Sequence, residues 1–267
     1  MATDAGHAVQ VTEPGPGIRL LTLNRPDVRN AMTGEMTAAW DEALTAIASD
    51  RDTRALVVTG EGSAFCSGAD LSWLNRESPA EEMAIVPMRE RLLPLYRSWL
   101  RLRQLPFPVL AAVNGAAIGA GVCLALACDL RYATTGAYFQ TPFIYLGTHG
   151  GMGVTWLLPE AVGLSRAREM LYTGREVHAP EALDWGLVTG VADDVLDHTL
   201  SVAARIAEAG PIAAQLTKTG LGQSSVAMLE SALVWESMAQ PVTMTTADLH
   251  EGVAAVHENR KPRFLGR

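Results

Sequence analysis

Apolar residues in the first half of the chain fall into short blocks alternating with helical spacings; in the second half helical spacings dominate. Apolar-rich runs at 18–23 (Ile-Arg-Leu-Leu-Thr-Leu), 55–59 (Ala-Leu-Val-Val-Thr) and 109–113 (Val-Leu-Ala-Ala-Val) are bounded by turn residues and predict buried strands. A further short strand is expected at 129–133. Met36, Trp40, Leu44 and Ile47 recur at intervals of three and four, which predicts a helix over 34–48. Asp70 is placed to cap a short helix continuing through Leu71 and Leu74. The stretch 80–105 reads as mostly helical, with Leu92, Leu95, Trp99 and Leu102 on one side. Pro87 and Pro94 are expected to interrupt or kink it, and Pro106 and Pro108 to stop it. A turn at Asn114-Gly115 leads to a small-residue helix near 119–127. After Gly147, helices are expected at 152–158, 165–172, 180–185, 195–209, 211–222, 226–238 and 243–256, with few strand candidates.

Strand and helix alternating over the first half predict a mostly parallel α/β sheet flanked by helices, followed by a helical extension. Such an extension, unable to fold back over a complete sheet, is expected to pack on a neighbouring copy. No internal repeat or low-complexity tract is present. The 267 residues are 48% hydrophobic and 19% charged, which excludes wholesale disorder. Twenty-one Lys and Arg against 29 Asp and Glu give a net charge of −8, opposing a general nucleic-acid binder. No apolar run reaches membrane-spanning length, and the first residues lack the basic head and apolar segment of a signal peptide. The three cysteines (Cys66, Cys123, Cys128) form no metal-type cluster, and their odd number fits reduced thiols and a cytoplasmic location. No metal site or redox cofactor is expected.

Two glycine-bearing turns carry the candidate chemistry. Gly119-Ala120-Gly121 opens a helix, but position 124 is leucine and no acidic residue ends a second strand downstream, so a dinucleotide fingerprint is not met. What remains is a close backbone approach and N–H groups at a helix start. Cys66-Ser67-Gly68-Ala69-Asp70 reads alone as an ordinary strand-to-helix turn with an aspartate cap. Two such turns can also aim backbone N–H groups at one point and form an oxyanion hole.

The segments 23–32 (Leu-Asn-Arg-Pro-Asp-Val-Arg-Asn-Ala-Met), 64–71 (Ala-Phe-Cys-Ser-Gly-Ala-Asp-Leu) and 108–121 resemble the crotonase (enoyl-CoA hydratase/isomerase) superfamily. So do Cys128-Asp129-Leu130-Arg131, 182–188 and the C-terminal Glu258-Asn259-Arg260-Lys261-Pro262-Arg263-Phe264, in order over residues 8–267. The resemblance implies a ClpP/crotonase-like spiral of ββα units over 1–200 and a helical trimerisation region over 201–267, assembled as trimer or hexamer. It implies an acyl-CoA thioester as partner, with coenzyme A part of the substrate rather than a cofactor. The N–H groups of Ala69 and Ala120 would bind the thioester oxygen, and Ala120 stands where the family usually has glycine. Arg25, Arg29, Ala31, Ser67, Ala69, Asp70, Leu71, Lys261 and Phe264 fall on the family's CoA-binding segments. The tail that carries Lys261 reads equally as a solvated terminus.

The sequence departs from the hydratase pattern where that pattern needs two glutamates: by resemblance those positions are Cys123 and Phe143. Positioned acid–base groups contribute about 10²–10⁴ each, so efficient hydration is not expected. The position aligned with an aspartate in some relatives is Gly151. His149 is the replacement candidate for proton transfer, with a surface-loop histidine as the alternative. Cys123 reads as packing more readily than as nucleophile, Asp70 as a cap, and Phe143 as acyl-pocket lining. Tyr145 and Glu160 are weaker candidates. Two functions stay open: an enolate-stabilising enzyme of the family, and an acyl-CoA binding or delivery protein without turnover.

Overall fold

The computed structural model describes residues 8–70, 84–222 and 226–266. In chain order these form β1 (Val9–Gly15), β2 (Ile18–Leu23), α1 (Gly34–Ser49), β3 (Ala55–Gly60) and β4 (Ala64–Cys66). Next come α2 (Ile85–Leu100), β5 (Val109–Val113), β6 (Ala116–Ile118), α3 (Ala120–Ala127), β7 (Leu130–Ala133) and β8 (Tyr138–Gln140). The chain continues through α4 (Val154–Thr173), β9 (Glu176–His178), α5 (Ala179–Asp184), β10 (Gly190–Val191) and α6 (Val195–Ala207). It ends in α7 (Pro211–Gly222), α8 (Val226–Met244) and α9 (Ala247–His257).

One sheet runs β1-β2-β3-β5-β7-β10, parallel except for the β1–β2 pair, and a second runs β4-β6-β8-β9. The apolar runs are unbroken because the first sheet is covered on both faces. Leu21, Leu23, Leu56, Val58, Val109 and Ala111 point into the main core. Ile18, Ala55, Val57, Leu110 and Ala112 point the other way, against Val195 and Ala203 of α6. Residue 200, the expected limit of the spiral core, lies inside α6.

Helix α1 buries Met36, Trp40, Leu44 and Ile47, the four positions its spacing marks, and the Thr33 side chain caps it by accepting from Met36 N–H at 3.1 Å. Trp40 stacks on Trp99 of α2 with ring centroids 4.7 Å apart.

Several expectations need correction. Helix α2 runs unbroken through Pro94, while Pro87 sits in its first turn, where an N–H has no helical acceptor. The two helices expected at 152–158 and 165–172 join end to end in α4 across Gly163, the one non-helical residue between them (φ 76°, ψ 159°). Helix α8 extends past 238 to Met244, through Pro241. Strands β1, β4, β6, β8, β9 and β10 were not anticipated. The C-terminal helices do fold back on their own chain: α8 packs on α2 and α4, and α9 on the 3-10 turn Phe143–Leu146. That face of the extension is therefore covered by its own chain rather than by a neighbour. The helix expected after Asp70, with Leu71 and Leu74, lies outside the described residues.

Candidate active site

Strand β4 delivers the chain into the turn at Gly68 and β6 delivers it into the turn at Gly119. Gly68 has φ +90°, and a Cβ there would stand 2.6 Å from the Ile118 oxygen and 3.2 Å from the Ala120 nitrogen. Only glycine lets the two turns lie this close. Met32 donates its N–H to Gly68 O at 2.8 Å within a parallel bridge to Ala69. That pairing uses the main-chain groups of Met32, so the N–H of Ala69 faces away from it. Gly119 (φ 55°, ψ −116°) donates its N–H to Gln140 O at 2.8 Å and hands the chain to α3. Its carbonyl accepts from Val122 and Cys123 N–H. Ala120 is the first residue of α3, where an N–H has no helical acceptor and the helix dipole is positive. Both turns border the same cavity.

That cavity, of about 130 Å³, also holds Ser67 and Asp70 in its lining, together with Trp99, Phe143, Leu146, Met152, Met244 and Leu249. Its walls are apolar apart from the turns, Thr148, and one buried pair that sequence reasoning did not single out. The Tyr96 hydroxyl of α2 donates to Gln240 Oε1 of α8, and Gln240 Nε2 donates to His149 O at 3.0 Å. A Cβ on Gly151 would lie 2.5 Å from both the Tyr96 and the Gln240 oxygens, so this pair occupies the space a side chain at 151 would need.

Helix α8 holds the loop that forms this side of the cavity. Glu236, fully buried, accepts from Gly153 N–H at 2.5 Å and from Thr155 N–H at 2.8 Å and Oγ1–H at 2.5 Å. Thr243 Oγ1 accepts from His149 N–H at 2.8 Å. Burial pushes the Glu236 carboxyl above its ordinary range, and the three donors pull it back down. Residues 236, 240 and 243 recur at four and three, a polar stripe on a buried helical face. That stripe was the available signal. Tyr96 carried none, falling between Leu92 and Trp99 on an apolar face.

The other predicted positions separate into three groups. The 29–32 segment clips to the first turn: Arg29 O accepts from Ser67 N–H at 3.0 Å, and Ala31 donates its N–H to Val28 O at 3.2 Å. Arg25 is paired with Asp27 (3.1 Å) and Glu35 (2.6 Å). Lys261 and Phe264 are exposed beyond α9 and do not line the cavity; the tail is tied down by Arg263 N–H to Glu251 and Leu265 N–H to Asp248. Leu71 lies outside the described residues. Cys123 is fully buried, with its sulfur 3.6 Å from Gly119 O and 3.5 Å from Gly151 O. Burial, then the Glu236 carboxylate, pushes its thiol well above the ordinary range, and burial pushes Cys66 and Cys128 up to about 12. Phe143 lines the cavity, its ring edge 3.6 Å from where a Cβ of Gly119 would be. His149 does not line it; its Nδ1 lies 2.5 Å from Gly150 O.

A larger cleft of about 800 Å³ lies away from the turns, lined by Arg131, Asp129, Glu160 and Lys218. Some of its charges serve the fold: Lys218 pairs with Asp129 at 2.8 Å, and Arg131 donates to Leu187 O and Cys128 O. Tyr145 is exposed beside Gly174. Among the described residues no His/Cys/Asp/Glu group could hold a metal, and no helix is long and apolar enough to cross a membrane.

Residues 13–267 match the enoyl-CoA hydratase/isomerase family. The chain belongs to that family. A Mycobacterium bovis relative described as the probable enoyl-CoA hydratase echA12 is 41% identical over 96% of this chain and 92% of its own. The 2,3-dehydroadipyl-CoA hydratase of Escherichia coli is 36% identical over 94% of this chain and 96% of its own. An enoyl-CoA hydratase crystal structure from Mycobacterium avium subsp. paratuberculosis superimposes with a TM-score of 0.84 at 30% identity, covering 97% of this chain and 98% of that one. The fold is that of the crotonase superfamily, with a helical C-terminal region.

Proposed function

We propose that the chain binds an acyl-CoA thioester and stabilises its enolate with two main-chain donors, Ala69 N–H and Ala120 N–H. The observation that carries this reading is the approach of the two turns, 3.2 Å between the Gly68 Cβ position and Ala120 N, at the edge of one apolar cavity. Removing one such donor typically costs about 10²–10³ in rate. The alanine methyl at 120 leaves the N–H in place. Family membership supports coenzyme A as the carrier, held along 29–31 and 67–71, with Arg25, Arg29, Lys261 and Phe264 as further contacts.

In this reading Cys123 and Phe143 stand where a hydratase would carry its two glutamates. Cys123 faces two carbonyl oxygens and is no base; Phe143 closes an apolar wall. The reaction is then an enolate-type step or thioester cleavage other than efficient hydration. Asp70 and Tyr96 are the titratable side chains among the described lining residues; His149, whose carbonyl accepts from Gln240, remains the candidate proton carrier although its ring does not line the cavity. With no carboxylate pair among the described lining residues, the second reading, acyl-CoA binding without turnover, is favoured. Crotonyl-CoA and a longer enoyl-CoA, followed by enoyl absorbance alongside thermal-shift binding, separate the two. Binding with slow or no hydration is expected; fast hydration that persists in His149→Ala contradicts this assignment.

Assembly as trimer or hexamer belongs to the same proposal, as does a cytoplasmic location. Support for self-association comes from Ile212, Leu216, Leu221 and Trp235, large apolar side chains exposed on α7 and α8.

A further inference from the structure

The acyl cavity is small and apolar apart from the two turns, Thr148 and the Tyr96–Gln240 pair. A dry cavity of about 150 Å³ holds a benzene-sized molecule, so a space of about 130 Å³ suits a chain of a few carbons. Within it, Tyr96 and Gln240 form a buried polar pair that also holds the His149 carbonyl. Its hydrogen bonds leave a defined remainder. The Tyr96 hydrogen goes to Gln240 Oε1 and one Gln240 Nε2 hydrogen goes to His149 O. The lone pairs of the Tyr96 oxygen and the second Nε2 hydrogen have no partner among the described residues. One acceptor beside one donor is the complement of a single hydroxyl, which gives a hydrogen to Tyr96 Oη and takes one from Gln240 Nε2.

The charges nearby set the sign of what fits. No Lys or Arg lines the cavity among the described residues, whereas Asp70 does. Glu236 lies close enough behind the pair that its carboxylate contributes to raising both the Tyr96 and the Cys123 pKa, burial being the larger cause in each. An acyl chain ending in a carboxylate would bury a negative charge with no Lys or Arg among the described lining residues to pair with it. The pair also adjoins the machinery: Gly151 abuts it, and the Cys123 sulfur bridges Gly151 O and Gly119 O, one side chain away from the second turn.

We infer that Tyr96 and Gln240 determine acyl specificity, selecting a short, uncharged acyl group that carries a hydroxyl beyond the reacting carbons. The inference rests on the acyl-CoA reading above. Tyr96 and Gln240 bind and orient; they carry no proton in this role, and burial holds the phenol neutral.

The test uses saturated thioesters, which cannot be hydrated, in binding calorimetry with the full chain: butyryl-CoA, 4-hydroxybutyryl-CoA, succinyl-CoA and decanoyl-CoA. The hydroxylated ligand should bind about five-fold or more tightly than butyryl-CoA, as a hydrogen-bonded pair of this kind provides. Succinyl-CoA should bind at least about ten-fold more weakly than butyryl-CoA, and decanoyl-CoA should be the poorest of the uncharged set. Tyr96→Phe and Gln240→Leu should each collapse the affinity ratio of 4-hydroxybutyryl-CoA to butyryl-CoA toward one, whatever either does to affinity for both. Equal affinity for butyryl- and 4-hydroxybutyryl-CoA in the wild-type protein overturns the inference and leaves the acyl-CoA reading intact. A preference that survives both substitutions overturns the assignment to this pair. Absence of binding by all four thioesters overturns the acyl-CoA reading and this inference with it.

Discussion

Ala120 occupies the first position of α3, the one place in a helix where proline is well tolerated and where it removes only an N–H that has no helical acceptor. Ala120→Pro therefore deletes one proposed donor while leaving the helix's own hydrogen bonds intact. Turnover of whichever thioester the enzyme accepts should fall by about 10²–10³, with the melting temperature nearly unchanged; kinetics beside a thermal melt check it. Cys123 makes the opposite case. A glutamate there would have no exposure and would face the carbonyl oxygens of Gly119 and Gly151 with Glu236 nearby. Cys123→Glu should destabilise the protein by about 3 kcal/mol or more, read from denaturant unfolding, whereas Cys123→Ser should stay within about 1–2 kcal/mol of the parent. A carboxylate placed at this position alone thus works against the surrounding acceptors.

Helix α8 does its work through side chains that read the backbone of the 148–155 loop. Glu236, Gln240 and Thr243 each hold a main-chain group of that loop, and Met152 and Gly151 within it line the cavity. The raised pKa of Glu236 fixes the sign of its pH effect. The folded state binds the proton more tightly than the unfolded state, so stability is lost as pH rises from the ordinary carboxylate range through the raised value. Glu236→Gln has no such titration and surrenders part of the three-donor network. It should cost about 1–3 kcal/mol near pH 5, with the deficit shrinking toward pH 8. Parallel melts across that range test this; a deficit that grows with pH contradicts it. The stripe was legible as polar residues at four and three on a buried face, but its partner was not. A helix's contact with a loop some 90 residues earlier leaves no local periodicity.

At the scale of the whole molecule, the strands buried on both faces were readable because a continuous apolar run has few other uses. The short strands β4, β6, β8 and β9 were not, since two or three residues carry no period, and their sheet exists only through register with one another. The turns at Gly68 and Gly119 were legible as turns and, by resemblance, as partners; their approach depends on tertiary packing. The return of α8 and α9 over their own cavity was missed because their apolar content fits either an internal or an external surface. Other apolar side chains remain outside: Ile212 and Leu221 of α7 and Trp235 of α8 stay exposed. Light scattering with size exclusion should give a multiple of three chains, and Trp235→Glu with Leu221→Glu should shift the mass toward one; a monomeric parent contradicts the proposed assembly. Two main-chain donors on one oxygen would polarise the thioester carbonyl. Isotope-edited infrared spectroscopy of bound butyryl-CoA labelled with ¹³C at the thioester carbon reads its polarisation without any turnover. Two main-chain donors predict a stretch shifted to lower frequency than in water, with much of the shift lost in Ala120→Pro; a bound carbonyl at its free frequency, or a shift untouched by that substitution, would contradict it.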